Sequence, residues 1–337
     1  PTLRVAVRRD HVVGPQDGRV YRFGDGSEGR LGTGSSRPNP STGGTAVDGI
    51  TDAVQVATGL GRTCALRKNG QVACWGNLSG RLSTSLPIPI EGITDAKYVA
   101  VGGTAYGMVG CVVHADDGVS CWGNNNGGEL GRGSRGEATM EPARIPEFTG
   151  IEEITIGTSS LCARNNEGKV FCWGSGSYGQ IGNGATDSSP TPVQVSGISD
   201  ATDIGGASYN ACALRRGGTV MCWGSNEDGQ IGDGKTGRDN NATSPVAVRG
   251  LRNVASLGNI PDSSCPPPRD GPMRRCGPNH FGQTGLNEPA PPAVTAPRER
   301  RRHHAPPAAA SAHTASNQGS PGTAEFCTIL HLALIPI

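Results

Sequence analysis

Long apolar runs are missing from this chain of 337 residues, and so is any excess of charge of one sign. No stretch approaches the roughly 20 apolar residues that a membrane-spanning helix needs. Lys and Arg number 30 against 29 Asp and Glu, for a net charge of +1. The segment Thr295 to Ile337 carries four arginines and two glutamates, so the first 294 residues carry about −1. A near-neutral body gives no electrostatic footing for nucleic acid. No two cysteines stand in a Cys-x-x-Cys pair, which removes the usual zinc ligand spacing. The seven histidines share no recurring position, and no Ser-His-Asp or Cys-His arrangement can be read from the order of residues. Helical periodicity is missing as well, which argues against a helical solenoid. Aromatics are only 4% of the chain beside 53 glycines. Without pattern, that balance would indicate disorder.

The glycines are patterned. A ten-residue step between cysteines occurs four times, Cys64 to Cys74, Cys111 to Cys121, Cys162 to Cys172 and Cys212 to Cys222, and each second cysteine is followed by Trp-Gly. The second cysteines are 47, 51 and 50 residues apart. Such a period marks a repeat architecture. In Cys64-Ala-Leu-Arg-Lys-Asn-Gly-Gln-Val-Ala-Cys74, apolar residues flank a Lys68-Asn69-Gly70 turn, a hairpin signal. With those three residues as the loop, Arg67 faces Gln71. Cys64 and Cys74 then face each other at a non-hydrogen-bonded site, where α-carbons approach to ~4.5–5.5 Å. The spacing therefore fits one disulfide inside each hairpin, and paired cysteines point to an oxidising compartment. Reduced cysteine filling a small apolar site is the alternative. Cys265 and Cys276 form a fifth, irregular candidate pair, and Cys327 stands alone.

Strand alternation places Cys64, Leu66, Val72 and Cys74 on one face and Ala65, Ala73 and Trp75 on the other. Both faces are apolar, so the hairpin is expected to be covered on both sides, as a propeller blade is. The copies starting at Cys162 and Cys212 keep the turn glycine in register, at Gly168 and Gly218, whereas in the copy starting at Cys111 it is read one place later, at Gly118. After each Trp-Gly comes a glycine-rich turn, such as Gly174 to Gly184 and Gly224 to Gly234. Glycines at fixed offsets indicate special backbone angles or close packing. Short apolar segments containing proline complete about four strands per unit.

With these residues the chain resembles the regulator of chromosome condensation repeat family, over roughly Val5 to Ala293. The resemblance implies an all-β fold, a β-propeller of about fifty-residue four-stranded repeats, in a family typically of seven blades. Six units are recognisable here. The first has Val5-Ala-Val-Arg-Arg read in place of Cys-Ala-Leu-Arg, Tyr21 to Gly24 in place of Cys-Trp-Gly, and extra residues around Val12 to Gln16. The second has a shortened turn at Asn77 to Leu82. The expected organisation is a propeller over 1–294 and a disordered or non-native tail over 295–337. That tail includes the basic run Arg298 to His304.

The family implies that function sits on the end faces and in the loops. Partner-binding residues are expected at Asn125, Tyr178, Asn226, Glu227 and Lys235, with Tyr178 the best anchor because exposed aromatics often carry interface energy. The leading expectation is a non-catalytic protein-binding scaffold of an exported, bacterial type, in an extracytoplasmic location. An inhibitor or an adhesion module would be a special case. The alternative is guanine nucleotide exchange or GTPase regulation, by family resemblance. No cofactor, metal, nucleic acid or small-molecule substrate is expected, and the partner is a protein. Gly229-Gln-Ile-Gly-Asp-Gly-Lys-Thr236 matches the phosphate-loop pattern letter for letter, but that chemistry needs a following helix and the residues after it read as a loop.

Overall fold

The computed structural model describes residues 6–257, apart from 8–10, 25–26, 36–40, 80–81, 105–106 and 207. The chain divides into two units, 1–289 and 290–337, and all that follows concerns the first. The described residues contain no α-helix. They form three antiparallel four-stranded sheets and one eight-stranded sheet in which two four-stranded units are joined, five successive blades in all. Blade one is β1 (Ala6–Val7), β2 (His11–Gln16), β3 (Arg19–Gly24) and β4 (Ser41–Ala46). Blade two is β5 (Ala53–Gly59), β6 (Arg62–Arg67), β7 (Val72–Ser79) and β8 (Leu82–Pro89). Blade three is β9 (Ala96–Thr104), β10 (Gly107–His114), β11 (Val119–Asn125) and β12 (Gly136–Arg144). Blade four is β13 (Ile151–Ile156), β14 (Ser160–Asn165), β15 (Val170–Gly174) and β16 (Ser189–Gln194). Blade five is β17 (Ala201–Gly206), β18 (Asn210–Arg215), β19 (Val220–Gly224) and β20 (Ala242–Ala247). The sixth expected unit, around Cys265 and Cys276, lies outside the described residues.

The central hairpin is as the alternation requires. Cys64 pairs with Cys74 in register, and Cys64, Leu66, Val72 and Cys74 join one apolar cluster with Val99, Val101 and Trp122 of the next blade. Ala65, Ala73 and Trp75 join the other, with Val20, Val47 and Ile50 from the preceding side. Blades thus stack through dry faces, which removes apolar area from water on both sides of each sheet. The four cysteine pairs are disulfide-bonded, with α-carbons 4.0–4.2 Å apart. That is slightly closer than the expected range.

Two corrections concern the frame. In blade one, the strand equivalent to Cys-Ala-Leu-Arg is His11–Gln16, not Val5 onward. Val13 pairs with Arg22 and Val12 with Phe23, matching Cys64 with Cys74 and Thr63 with Trp75. The supposed extra residues are the strand itself. In blade three, Gly118 does not hold the turn position. Asp117 does, at φ +66°, where Gly70, Gly168 and Gly218 have φ +81°, +85° and +76°. The carbonyl at this position accepts a bond from the next blade every time, from Ala53 N to Gly18 O and onward through Gly70, Asp117, Gly168 and Gly218. Aspartate tolerates the left-handed region better than most residues, so the turn survives.

The innermost strands present an open edge to the axis, and their backbone groups are satisfied by side chains of the preceding blade. Gln55 brackets Val99, donating to its carbonyl and accepting from its N–H at 3.0 Å each. At the same register Tyr98 donates to Ile154 O, Glu153 accepts from Ile204 N and Asp203 accepts from Leu257 N. The outermost strands carry a proline one residue before the partner of the second cysteine, at Pro87, Pro142, Pro192 and Pro245. Proline lacks an N–H and so blunts an edge that could recruit another strand.

Candidate functional site

The turns joining first to second strands and the glycine-rich loops joining third to fourth strands meet at one end of the blades. Asn77 N donates to Gly61 O, Ser175 N to Ser159 O and Ser225 N to Tyr209 O. We call this end the loop face. The second-to-third strand turns lie at the other end.

The glycine loops are built on the tryptophans. Trp75, Trp173 and Trp223 donate Nε1–H to the carbonyls of Arg30, Glu129 and Gln180. The glycine two residues further on, Gly182 in the last case, has φ +74°, and a Cβ there would lie 2.8 Å from the Trp223 indole. The turn therefore needs glycine both for its backbone angle and for its approach to the ring. Blade two, with its shortened turn, offers Trp122 no such loop, and the Trp122 Nε1 is buried without a partner. The ring lies instead over Gly110, where a Cβ would come within 2.4 Å of it. A lengthened β9–β10 hairpin occupies this end of blade three and pairs Gly107 with Ser79 of blade two.

The loop asparagines expected to bind a partner are framework residues. Asn226 is 0% exposed. Its Oδ1 accepts from Ile231 N, and its Nδ2 donates to Asp233 Oδ1 and Lys235 O. Asn125 is 5% exposed and closes its own loop through Leu130 N and Ser134 O. Burial and these bonds take both amides out of reach of a partner. Glu227, Lys235 and Tyr178 are on the surface. Glu227 holds Arg238 at 2.9 Å, which raises the Arg238 pKa, chiefly through that hydrogen bond and then through the charge of Glu227.

Tyr178 has a companion that pattern reading missed. Tyr209, in the first turn of blade five, packs against it with ring centroids 5.2 Å apart and planes at 52°. Both rings are exposed, at 38% and 42%. Both sit on pinned backbone. Tyr178 N donates to Gln180 Oε1, and Tyr209 O accepts from Ser225 N. The available signal was a break in the repeat, since the matching positions hold Gly61 and Ser159.

At the turn end, a cleft of about 1070 Å³ runs between the innermost strands, lined by Gln55, Lys97, Glu153, Arg164, Asp203 and Arg216 among others. Arg164 is engaged by Glu152 and Glu153, and Lys97 by Asp117. Inside blade three, His114 Nδ1 lies 2.6 Å from Asp95 and its Nε2 lies 2.8 Å from Ser120 Oγ. The spacing is that of a nucleophilic relay, but Ser120 is 3% exposed and lines no part of the cleft. The frame explains the set better. Arg67–Asp52 and Arg215–Asp200 occupy the His114–Asp95 position in blades two and five. Among the described residues no group of His, Cys, Asp and Glu is arranged to hold a metal ion. The phosphate-loop match runs into a 3-10 turn, Arg238–Asn240, with no helix to face a phosphate.

Family models for the regulator of chromosome condensation (RCC1) repeat match residues 167–214, and in a second form residues 53–79, 151–180 and 203–230. The matched segments carry RCC1 repeats. The matched segments fall on blades two, four and five, where cysteines, tryptophan and glycine frame coincide. Among curated relatives, these RCC1 repeats are 31% identical over 206 residues to the Ultraviolet-B receptor UVR8 of Arabidopsis thaliana, covering 57% of this chain and 46% of that protein. They are 29% identical over 196 residues to the human E3 ubiquitin-protein ligase HERC2, covering 54% of this chain and 4% of that one. The chain thus spans less than half of either relative. Among solved structures, yeast RCC1 (Prp20), described in a complex with Kap60, superposes with a TM-score of 0.69 at 18% identity, over 83% of this chain and 70% of that one. Human WBSCR16 gives 0.60 at 22% identity, over 72% and 66%. At these identities the superpositions show the RCC1 propeller fold alone.

Proposed function

We propose that this chain is a non-catalytic, protein-binding RCC1-repeat propeller, and that the loop face of blades four and five is its interface. The observation that carries the reading is the Tyr178–Tyr209 pair, two exposed rings in contact on rigid backbone. Large aromatic groups held in place bind with little loss of side-chain freedom, which is why they dominate interface energetics. Tyr178, Glu227 and Lys235 belong to this face. Four disulfides support a working place in an oxidising, extracytoplasmic compartment. An inhibitor and an adhesion module are both protein-binding uses of such a face.

The test is a photo-crosslinking residue at position 209, with position 68 on the opposite end as control, in cells that make the protein. A defined protein adduct from 209 and none from 68 is the expected result. Equal adducts from both, or none from 209, would end the reading. The alternative, regulation of a GTPase, is favoured by the likeness to Prp20, whose binding to Gsp1p and histones is on record. The disulfides weigh against it, and stimulated release of bound guanine nucleotide from a GTPase would restore it.

A further inference from the structure

We infer that the loop face of blades four and five receives a cationic segment of its protein partner. This deepens the interface reading above and rests on it. The loops that carry or flank the tyrosine pair are residues 175–188 and 225–241. They hold five acids, Asp187, Glu227, Asp228, Asp233 and Asp239, against two bases, Lys235 and Arg238. One of those bases is already engaged, since Arg238 donates to Glu227. The corresponding loop of blade three has the opposite balance. There Arg132 and Arg135 face Glu129 alone, and Glu129 is buried. The loops that carry and flank the exposed rings are therefore net acidic and that of blade three net basic, with Arg135 of the latter donating to Ser188 O of the blade-four loop.

Rings and carboxylates together select one chemistry. The faces of exposed tyrosines attract guanidinium and ammonium groups, most strongly where neighbouring groups exclude water. Carboxylates in the same loops steer a cationic segment in and repel an anionic one. Among the described residues no hydrogen bond consumes either tyrosine hydroxyl or the Asp228 carboxylate, so these groups are open to a ligand. A neutral apolar partner would leave the acids unpaired at the rim, and an acidic one would be repelled.

The experiment is a fluorescence-anisotropy titration of the full chain with three labelled peptides: an arginine–glycine repeat, a glutamate–glycine repeat, and residues 296–304 of this chain. The arginine peptide is expected to bind and to weaken steeply with salt, and the glutamate peptide is expected not to bind. Affinity is expected to fall about tenfold in Tyr178→Ala/Tyr209→Ala, as for loss of one strong anchor, and by a similar factor in Asp228→Lys/Asp239→Lys. Equal binding of both charge types, no binding of the arginine peptide, or binding untouched by the tyrosine changes would overturn the inference. If exchanging Arg298, Arg300, Arg301 and Arg302 for serine tightens the arginine peptide about tenfold, the occupant is the chain's own tail and the partner assignment falls. The crosslink at position 209 separates the two levels. An adduct without cationic binding removes the chemistry and leaves the interface, whereas loss of both removes both.

Discussion

Glu129 occupies a position that two later repeats give to glutamine. Gln180 and Gln230 use the side-chain oxygen to accept from the backbone N–H two residues earlier, Tyr178 N at 2.8 Å and Asp228 N at 2.9 Å. Glu129 does the same with Gly127 N at 2.8 Å and adds Asn124 Nδ2 at 3.1 Å. Its residue is 2% exposed. Burial raises its pKa above the ordinary 4.5, and the hydrogen bonds only partly oppose this. The folded state therefore holds the proton more tightly than the unfolded chain. Such a group favours folding below the unfolded value, and that contribution is lost as pH rises through the raised folded value. Glu129→Gln keeps the Gly127 bond and removes the buried charge. Asn124 must turn its amide over to accept from the new Nε2. We expect the variant to be more stable at neutral pH by about 0.5–2 kcal/mol, the range for a substitution that restores a consensus. The midpoint of thermal unfolding should rise by roughly 2–4 °C per kcal/mol for a chain of this size. Urea titrations at neutral pH and below pH 4.5 are the assay. The stabilisation should shrink toward zero in acid. A pH-independent difference, or a less stable variant at neutral pH, would refute the reasoning.

Trp223→Phe breaks a bond to a buried carbonyl and leaves it unpaired, whereas Trp122→Phe has no such bond to lose. The first should cost about 1–2 kcal/mol more than the second in chemical denaturation. Gly168→Ala places a Cβ at φ +85° and 3.0 Å from the Ala201 backbone, and should cost about 1–2 kcal/mol. The same measurement checks it.

How much of this was legible beforehand depended on whether a feature recurs. The two-faced hairpin could be read because alternation is a local geometric rule, and Cys64, Leu66, Val72 and Cys74 duly share one cluster. Proline on the outer strands could be read as punctuation of a strand, but its role as edge protection needed the register. Asn125 and Asn226 look like loop residues, yet each stands at the second place after Trp-Gly. Recurrence there signals a frame position, and the buried amides are part of the turn. Asp117 was hidden because sequence logic looked for glycine, while the backbone asked only for a residue that accepts positive φ. Tyr209 was hidden for the opposite reason. Its one sign is a departure from the small residues Gly61 and Ser159 at the matching positions, and only the fold brings residue 209 beside residue 178. The unpartnered Trp122 follows from a deletion visible in the sequence, although its effect falls on the next blade.

Non-reducing peptide mapping of protein from its native source, with free thiols alkylated before digestion, is the most direct check on the account. It should return Cys64 linked to Cys74, Cys111 to Cys121, Cys162 to Cys172 and Cys212 to Cys222, each within one short hairpin peptide. Alkylation of all eight cysteines, or links that join different blades, would contradict both the stitched repeat and the oxidising location.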